Sequence, residues 1–427
     1  MPANNIIIAQ SGGPSAVINN TLRGIIESCR AYPGRFGEIY AGWHGIEGIL
    51  KEELLNLSAQ AEEEIKLLKT TPGAGSIGTC RYKLGENQEE DFSRIVDVFR
   101  THDIGYSFCV GGNDSQHTAL RISKICSDFG LEVISVGVPK TIDNDLGDKE
   151  FKLIDHTPGY GSVARYWAHM VQSLDQENSG SYPSDPVLVV QAMGRRIGFI
   201  PAAARLADPD REMPLQIYLA ESKIPMPELA ENVNDYIKRH KRCIVVVSEG
   251  YDTGEIADGK DSFGHTQYGS GGISAQQIIV NYLNKKGLRC RGSVRGQVPG
   301  TDQRHAMIYA STVDLDEAYE VGRNAVEIAL NDGNGWMSTI LRDEGHEYRV
   351  RYDKVPLESV ALSERSFPEK WISVTKHDVN DQFVEYAKPL IGEKWIEIPL
   401  EKGLQRFTRF EPLFVEKKLT RYIPQAY

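Results

Sequence analysis

No C-x-x-C pair occurs anywhere in the 427 residues. The six cysteines, Cys29, Cys80, Cys109, Cys126, Cys243 and Cys290, are scattered. In a chain this long they read as core thiols in a reducing compartment and not as a disulfide framework. No apolar run approaches the roughly 20 residues of a membrane-spanning helix. The opening MPANNIIIAQSGG has no basic stretch ahead of its short apolar run, so it does not read as a secretory leader. A cytoplasmic location is the expectation. Positive charge is in deficit too: 48 Lys and Arg face 59 Asp and Glu, a formal charge of −11. This balance argues against nucleic acid as a main partner. It leaves room for a small anionic substrate met by a local cluster of cations. Short repeats and low-complexity stretches are missing as well.

The rest of the composition is that of an ordinary globular protein with a large core, 41% hydrophobic and 25% charged. Apolar runs and helical periodicity alternate along the chain. Asn5–Gln10 leads through SGG into a helix over Ser15–Arg30. Tyr106–Val110 leads through GGNDS into a helix carrying Leu120, Ile122 and Ile125 on one face. Glu132–Val138 runs into PKTIDND, Val187–Gln191 into AMGRR, and Cys243–Val247 into SEG; Leu315–Leu330 is a further amphipathic helix. Strand, loop and helix in repetition predict parallel sheets with helices on both faces, where ligands sit at the carboxyl ends of strands. Every unusual motif falls at such an end. Ser179–Pro186 and Tyr251–Gly272 read as loops, and Ser359–Tyr427 as an appended layer of aromatic and charged residues.

In SGGPSAVIN, two glycines between a strand and a helix allow backbone N–H groups to approach an anion. The stretch is neither a Walker loop nor G-x-G-x-x-G. GGNDS repeats the arrangement with Asp114, which on its own reads more readily as a helix cap than as part of a second phosphate-facing loop. PKTIDND places Lys140, Thr141, Asp143 and Asp145 within six residues. A cap accounts for one of these, not four. A lysine to neutralise phosphate, one carboxylate to accept a proton and one to serve a divalent metal suit phosphoryl transfer. Arg195 in MGRR could fork onto phosphate oxygens, and Glu249 in VVSEG could accept bonds from sugar hydroxyls. Arg291, Arg295 and Arg304 lie among glycines, as an anion-gripping loop or a solvated surface would have them.

Taken together, from about Asn5 to about Leu330, these motifs resemble the phosphofructokinase family, and within it the pyrophosphate-dependent branch. ATP-using members read GGDG[ST] and PGTIDND. Here Asp114 and Lys140 stand at the variable glycine positions. A carboxylate at 114 would crowd the α-phosphate of a nucleotide, and Lys140 would neutralise a compact donor. The resemblance implies a two-lobed α/β fold with Rossmann-like parallel sheets and a C-terminal extension. Residues 1–152, completed by about 304–335, would form the donor-phosphate lobe, 153–303 the sugar-phosphate lobe, and 336–427 the extension. It implies Mg²⁺-dependent, reversible transfer from pyrophosphate to the 1-hydroxyl of fructose 6-phosphate. The rivals are an ATP-dependent kinase and a non-catalytic sugar-phosphate-sensing subunit.

The same resemblance implies the roles of individual residues. Asp143 would be the base, with Lys140, Asp114, Asp145 and Arg195 beside it in catalysis. Thr141, Ile142, Met193, Gly194, Glu249, Arg295 and Arg304 would contact the sugar phosphate. Gly12, Gly13, Arg81, Gly112 and Ser115 would face the donor. Asn113 and Asp145 would serve Mg²⁺, although Asn113 replaces the family's acid and contributes no charge. Arg295, which many relatives donate across a subunit interface, favours a homodimer or larger homo-oligomer. On the first helix Arg23 matches one effector-binding arginine of bacterial ATP enzymes, but Glu27 stands at the other, so weak or absent allosteric control is expected.

Overall fold

The structure, a computed structural model, describes residues 4–85, 87–254, 259–260, 266–267, 273–345, 347–361 and 363–425. The strands in chain order are β1 (Asn5–Gln10), β2 (Ile39–Gly42), β3 (Leu54–Asn56), β4 (Ile104–Gly111), β5 (Ile134–Pro139), β6 (Val187–Ala192), β7 (Leu215–Tyr218), β8 (Cys243–Ser248), β9 (Gly259–Lys260), β10 (Thr266–Gln267), β11 (Val294–Gln297), β12 (Trp336–Arg342), β13 (Val350–Pro356), β14 (Leu400–Glu401) and β15 (Leu404–Gln405). The chain divides into two compact units. One comprises 1–159, 312–365 and 395–427; the other comprises 160–311 and 366–394.

The first unit is built on a seven-stranded sheet in the order β13-β12-β5-β4-β1-β2-β3. Its interior pairings are parallel, and antiparallel pairs, β12 with β13 and β2 with β3, close the two ends. Successive side chains of a strand point to opposite faces. Accordingly Ile6 and Ile8 of β1 enter one core and Ile7 the other. Helices cover both faces. Helix Ile18–Arg30 lies against helix Thr312–Asn331 so closely that a Cβ on Gly24 would collide with the Tyr319 carbonyl, and one on Gly322 with that of Thr21. The chain runs from β1 to one side and returns as β4 on the other. The carboxyl ends of β1, β4 and β5 are level, with Gln10 opposite Val110 and Gly111 opposite Pro139. This reversal of strand order is the switch point where α/β sheets bind ligands.

The second unit carries an all-parallel four-stranded sheet, β11-β6-β8-β7. Strands β6, β7 and β8 are buried along their whole length, which explains the nearly continuous apolar runs of β6 and β8. Strand β11 is an edge strand, exposed from Arg295 to Gln297.

Three sequence expectations change. The first helix begins at Ile18 rather than Ser15. The helix Tyr160–Ser181 runs into the stretch read as the loop Ser179–Pro186. The presumed layer after residue 336 is not one body. Strands β12 and β13 complete the first unit's sheet, 366–394 belongs to the second unit, and 395–427 to the first. The last segment extends the sheet edge through an antiparallel bridge of Leu55 with Phe414. Glu52 fastens it by accepting the Lys418 and Leu419 N–H groups. Aromatic rings carry segment 366–394, where Phe367, Trp371 and Phe383 pack edge to face or tilted. Most of the loop read over Tyr251–Gly272 lies outside the described residues. Among the described residues no helix is long and apolar enough to cross a membrane.

Candidate active site

In the first unit three consecutive strand ends supply three loops. The loop after β1 turns at Gly12, whose φ of 79° only glycine adopts without strain. Its N–H donates to the Cys80 carbonyl at 2.9 Å, and Thr79 Oγ1 donates to its carbonyl at 2.9 Å. This clamps the segment bearing Arg81, an exposed side chain, beside Gly12 and Gly13.

The second loop follows β4. Gly112 occupies the N-cap position of helix Asn113–Asp128 with no side chain capping it. Asp114 is therefore not the cap. It lies exposed in the first turn, its carboxylate 3.0 Å from Lys83 Nζ. Ser115 is buried and its hydroxyl pairs with that of Ser11, linking the first two loops. Only glycine fits at 111, because a Cβ there would strike both hydroxyls.

The third loop follows β5. Lys140 is 3% exposed. Its backbone N–H donates to Gly111 O at 3.0 Å and its ammonium to Gly13 O at 2.6 Å. A Cβ on Gly12 would stand 3.4 Å from that nitrogen. One buried cation thus spans all three loops. Thr141 accepts the Asp143 N–H on its hydroxyl at 3.2 Å, closing a tight turn in which Asn144 adopts φ 56°. Ile142 is buried, Asp143 half-buried and Asp145 buried. The loop's far side rests on Thr157, whose hydroxyl donates to Thr141 O at 2.8 Å. Next to it His156 is enclosed between Asp155 and Glu317, 2.8 and 2.7 Å away. Burial alone would lower its pKa, but the Glu317 and Asp155 carboxylates push it up to about 9.

Asn113 Nδ2 lies 3.5 Å from Asp145 Oδ2, while Asn113 Oδ1 is buried and has no hydrogen-bond partner. Rotating the amide about its last bond would turn that oxygen toward the carboxylate. An amide oxygen and a carboxylate oxygen fit Mg²⁺, which binds through one or two protein ligands and takes the rest from water and phosphate. Among the described residues no cluster of three or more acidic, histidine or cysteine side chains offers a fuller cage.

The second unit assembles a different surface. After β6 the backbone turns through Gly194 at φ 119° and Arg195 at φ 54°. Glu249, after β8, accepts the Gly194 and Arg195 N–H groups on one oxygen at 3.2 and 2.7 Å. Burial raises the Glu249 pKa; those two N–H bonds and the charges of Arg195 and Arg304 pull it back. Gln303 Oε1 accepts the Met193 N–H at 3.0 Å and also the Trp167 indole N–H at 3.0 Å, tying the turn to the segment of Arg304. Met193, Gly194, Arg195, Glu249 and Arg304 are therefore one constellation. Arg295 stands apart on the exposed edge strand, its Nε 2.9 Å from Asp185. Sequence reading missed Ser11, Thr79, Lys83, Gln303 and, above all, Arg365. Ser11 opens SGGPSAVIN, Thr79 and Lys83 flank Arg81, and Gln303 adjoins Arg304, so each neighbours a residue the motifs single out; Arg365 lies far from any of them.

Fixed backbone turns and one buried ammonium at the ends of parallel strands are the equipment of an α/β phosphotransferase. The chain belongs to the phosphofructokinase family, whose model matches residues 5–329. A pyrophosphate–fructose 6-phosphate 1-phosphotransferase of Halomonas elongata is 36% identical over 433 residues, 99% of this chain and 100% of that protein. One from Methylococcus capsulatus is 36% identical over 430 residues, 98% of this chain and 99% of that protein. The crystal structure of a pyrophosphate-dependent phosphofructokinase from Nitrosospira multiformis matches with TM-score 0.88 and 34% identity, covering 98% of this chain and 100% of that one.

Proposed function

We propose that the protein transfers a phosphoryl group from pyrophosphate to the 1-hydroxyl of fructose 6-phosphate, giving fructose 1,6-bisphosphate and phosphate, and that it runs in both directions. The observation that carries this reading is Lys140, buried and bonded to Gly13 O at 2.6 Å. A fixed ammonium at that point suits a small, highly charged donor. Asp143 takes the proton of the attacking hydroxyl while the bond between the donor phosphorus and its bridging oxygen breaks, the electron pair leaving with phosphate. Gly12, Gly13, Gly112, Ser115 and Arg81 hold the donor. Asp114, braced by Lys83, occupies the space a nucleotide's α-phosphate would need. Asp145 and Asn113 would hold Mg²⁺, which when bound neutralises charge on the donor phosphates. Thr141, Ile142, Met193, Gly194, Arg195, Glu249 and Arg304 bind the sugar phosphate. Assembly as a homodimer or larger belongs to the reading, supported by the exposed edge position of Arg295. So does a cytoplasmic location, which the six free thiols support.

A steady-state donor screen tests the proposal. Purified protein is given fructose 6-phosphate and Mg²⁺ with pyrophosphate, ATP or both. The expected result is turnover with pyrophosphate and at least a hundredfold lower kcat/KM with ATP. Comparable use of ATP defeats the donor assignment, and sugar-phosphate binding with no turnover from any donor defeats the enzyme reading. Lys140→Gly with Asp114→Gly should weaken pyrophosphate use without creating good ATP use.

A further inference from the structure

The turn that presents Asp143 and Asp145 is held from behind by a residue far away in sequence. Arg365 is fully buried, at 0% exposure. Its Nε donates to the Asn144 carbonyl at 3.1 Å and its Nη2 to the Asn144 side-chain oxygen at 2.7 Å. Its Nη1 donates to Ile154 O at 2.7 Å, and its backbone N–H to the Asp145 carbonyl at 2.6 Å. The guanidinium lies 4.3 Å from the ring centre of Phe151. Two residues earlier, Ser363 Oγ accepts the Gly147 N–H at 3.1 Å. Asn144 Oδ1 also accepts the Thr157 N–H at 3.1 Å, so one side-chain oxygen joins the loop, its support and the arginine.

We propose that Arg365 is a positioning residue for the phosphoryl-transfer loop, fixing the left-handed turn at Asn144 and through it the directions of the Asp143 and Asp145 carboxylates. Burying a guanidinium is costly unless its donors are met. Here three of them meet oxygens of the loop or of the segment that follows it, in the planar fork that arginine alone supplies. Asn144 adopts a left-handed conformation, φ 56°, which asparagine tolerates better than other non-glycine residues and which its bonds to Arg365 and Thr157 hold in place. A small angular error at the turn swings both carboxylates, and misplacement of catalytic groups by about 1 Å costs on the order of a hundredfold in rate. Arg365 lies beyond residues 5–329, the part of the chain the family model matches. The loop is therefore completed by a segment beyond the stretch that the family model matches.

This inference rests on the function proposed above, so the wild-type protein is assayed first with pyrophosphate and fructose 6-phosphate. Absence of turnover there condemns that function and not the role of Arg365. Given turnover, Arg365→Ala should lower kcat at least a hundredfold with both KM values within about threefold. Guanidinium chloride at tens of millimolar should restore at least tenfold of the loss, where ammonium chloride does not. Arg365→Lys keeps the charge without the fork and should lose at least tenfold in kcat at a temperature well below its thermal midpoint. Either variant folded with wild-type kcat, or a loss confined to thermal stability, overturns the proposal. If neither variant folds, Asn144→Gly decides. Glycine adopts the left-handed turn freely but lacks the side-chain oxygen that meets Arg365 and Thr157; an unchanged kcat overturns the role, where a tenfold or larger fall supports it.

Discussion

The two constellations are built on opposite principles. In the first unit the chemistry-bearing loops are tied to one another before any substrate arrives. Lys140 is 3% exposed, its ammonium bonded to Gly13, and the Asp143–Asp145 turn is held by Arg365 and Thr157. In the second unit the cations are more open to water, with Arg195 exposed, Arg304 half-buried and, apart from them, the Arg295 side chain 67% exposed. The backbone of the Met193–Arg195 turn is fixed by Glu249 and Gln303. Preorganised groups contribute most where charge develops in the transition state, because they need no rearrangement at that moment. Solvated arginines contribute to binding and lose strength to salt. Changes in the first unit should therefore act on kcat, and changes in the second on KM.

The largest effect should come from Asp143→Asn. The amide cannot accept the hydroxyl proton, and a positioned general base contributes typically 10²–10⁴-fold. The expected fall in kcat is about a thousandfold, with KM for both substrates within a few-fold of wild type. Rapid-quench measurement of the first turnover checks that the chemical step is the one slowed. A fall of less than tenfold would remove Asp143 as the base and would blur the division between the units.

Glu249→Gln should act on the other side. The expected outcome is a roughly tenfold higher KM for fructose 6-phosphate and a kcat within about threefold, a change of about 1.4 kcal/mol in binding. Acidity sharpens this test. Burial raises the Glu249 pKa above its ordinary 4.5, so it takes up its proton earlier than a solvated carboxylate as pH falls. KM should therefore begin to rise on acidification above the usual carboxylate range, and Glu249→Gln should flatten that limb. The effect on stability runs the other way. A carboxyl whose folded pKa is raised contributes stability at pH below its unfolded pKa and loses it as pH rises through the folded value. Binding and stability pulling in opposite directions across that window would mark Glu249 as a functional acid rather than a structural one. A kcat effect larger than the KM effect would break the comparison.

The asymmetry between the units also explains what the sequence revealed. Strands β1, β4, β5, β6 and β8 are continuous apolar runs because both faces are covered, and such runs are legible. Strands β2, β3 and β7 are too short to show a period, while β12 and β13 interleave polar residues at a sheet end. The Lys140–Asp145 loop was legible because four functional groups in six residues have no ordinary structural explanation. Its supports were not. Arg365 sits in ALSERSFPEK, which reads as a polar surface stretch, and becomes a buried brace only because the fold returns it to Asn144. Lys83 was invisible for a similar reason, since its partner Asp114 is assigned by the fold and not by spacing. Residues that touch substrate carry unusual chemistry in a short window. Residues that hold them carry ordinary chemistry whose meaning depends on contacts hundreds of positions away.

The smallest expected effect is a null one, and it concerns the first helix. Arg23, expected from the family resemblance to match an effector-binding arginine, is engaged where it stands. Its Nε lies 2.8 Å from Glu27 Oε1, its guanidinium is 5.3 Å from the Tyr319 ring centre, and the Tyr319 hydroxyl donates to Glu27 Oε2 at 2.8 Å. A phosphate effector would have to displace that carboxylate from Arg23 and then lie against it. Attraction to the arginine and repulsion from the glutamate nearly cancel at such short range. ADP or phosphoenolpyruvate at millimolar concentration should therefore change initial rates by less than twofold at sub-saturating fructose 6-phosphate. Glu27→Gln should leave that insensitivity in place, because it removes the repulsion without supplying a second cation. A several-fold response in the wild-type protein would mean that the Arg23–Glu27–Tyr319 cluster opens on binding, and that the first unit is less rigid away from its loops than within them.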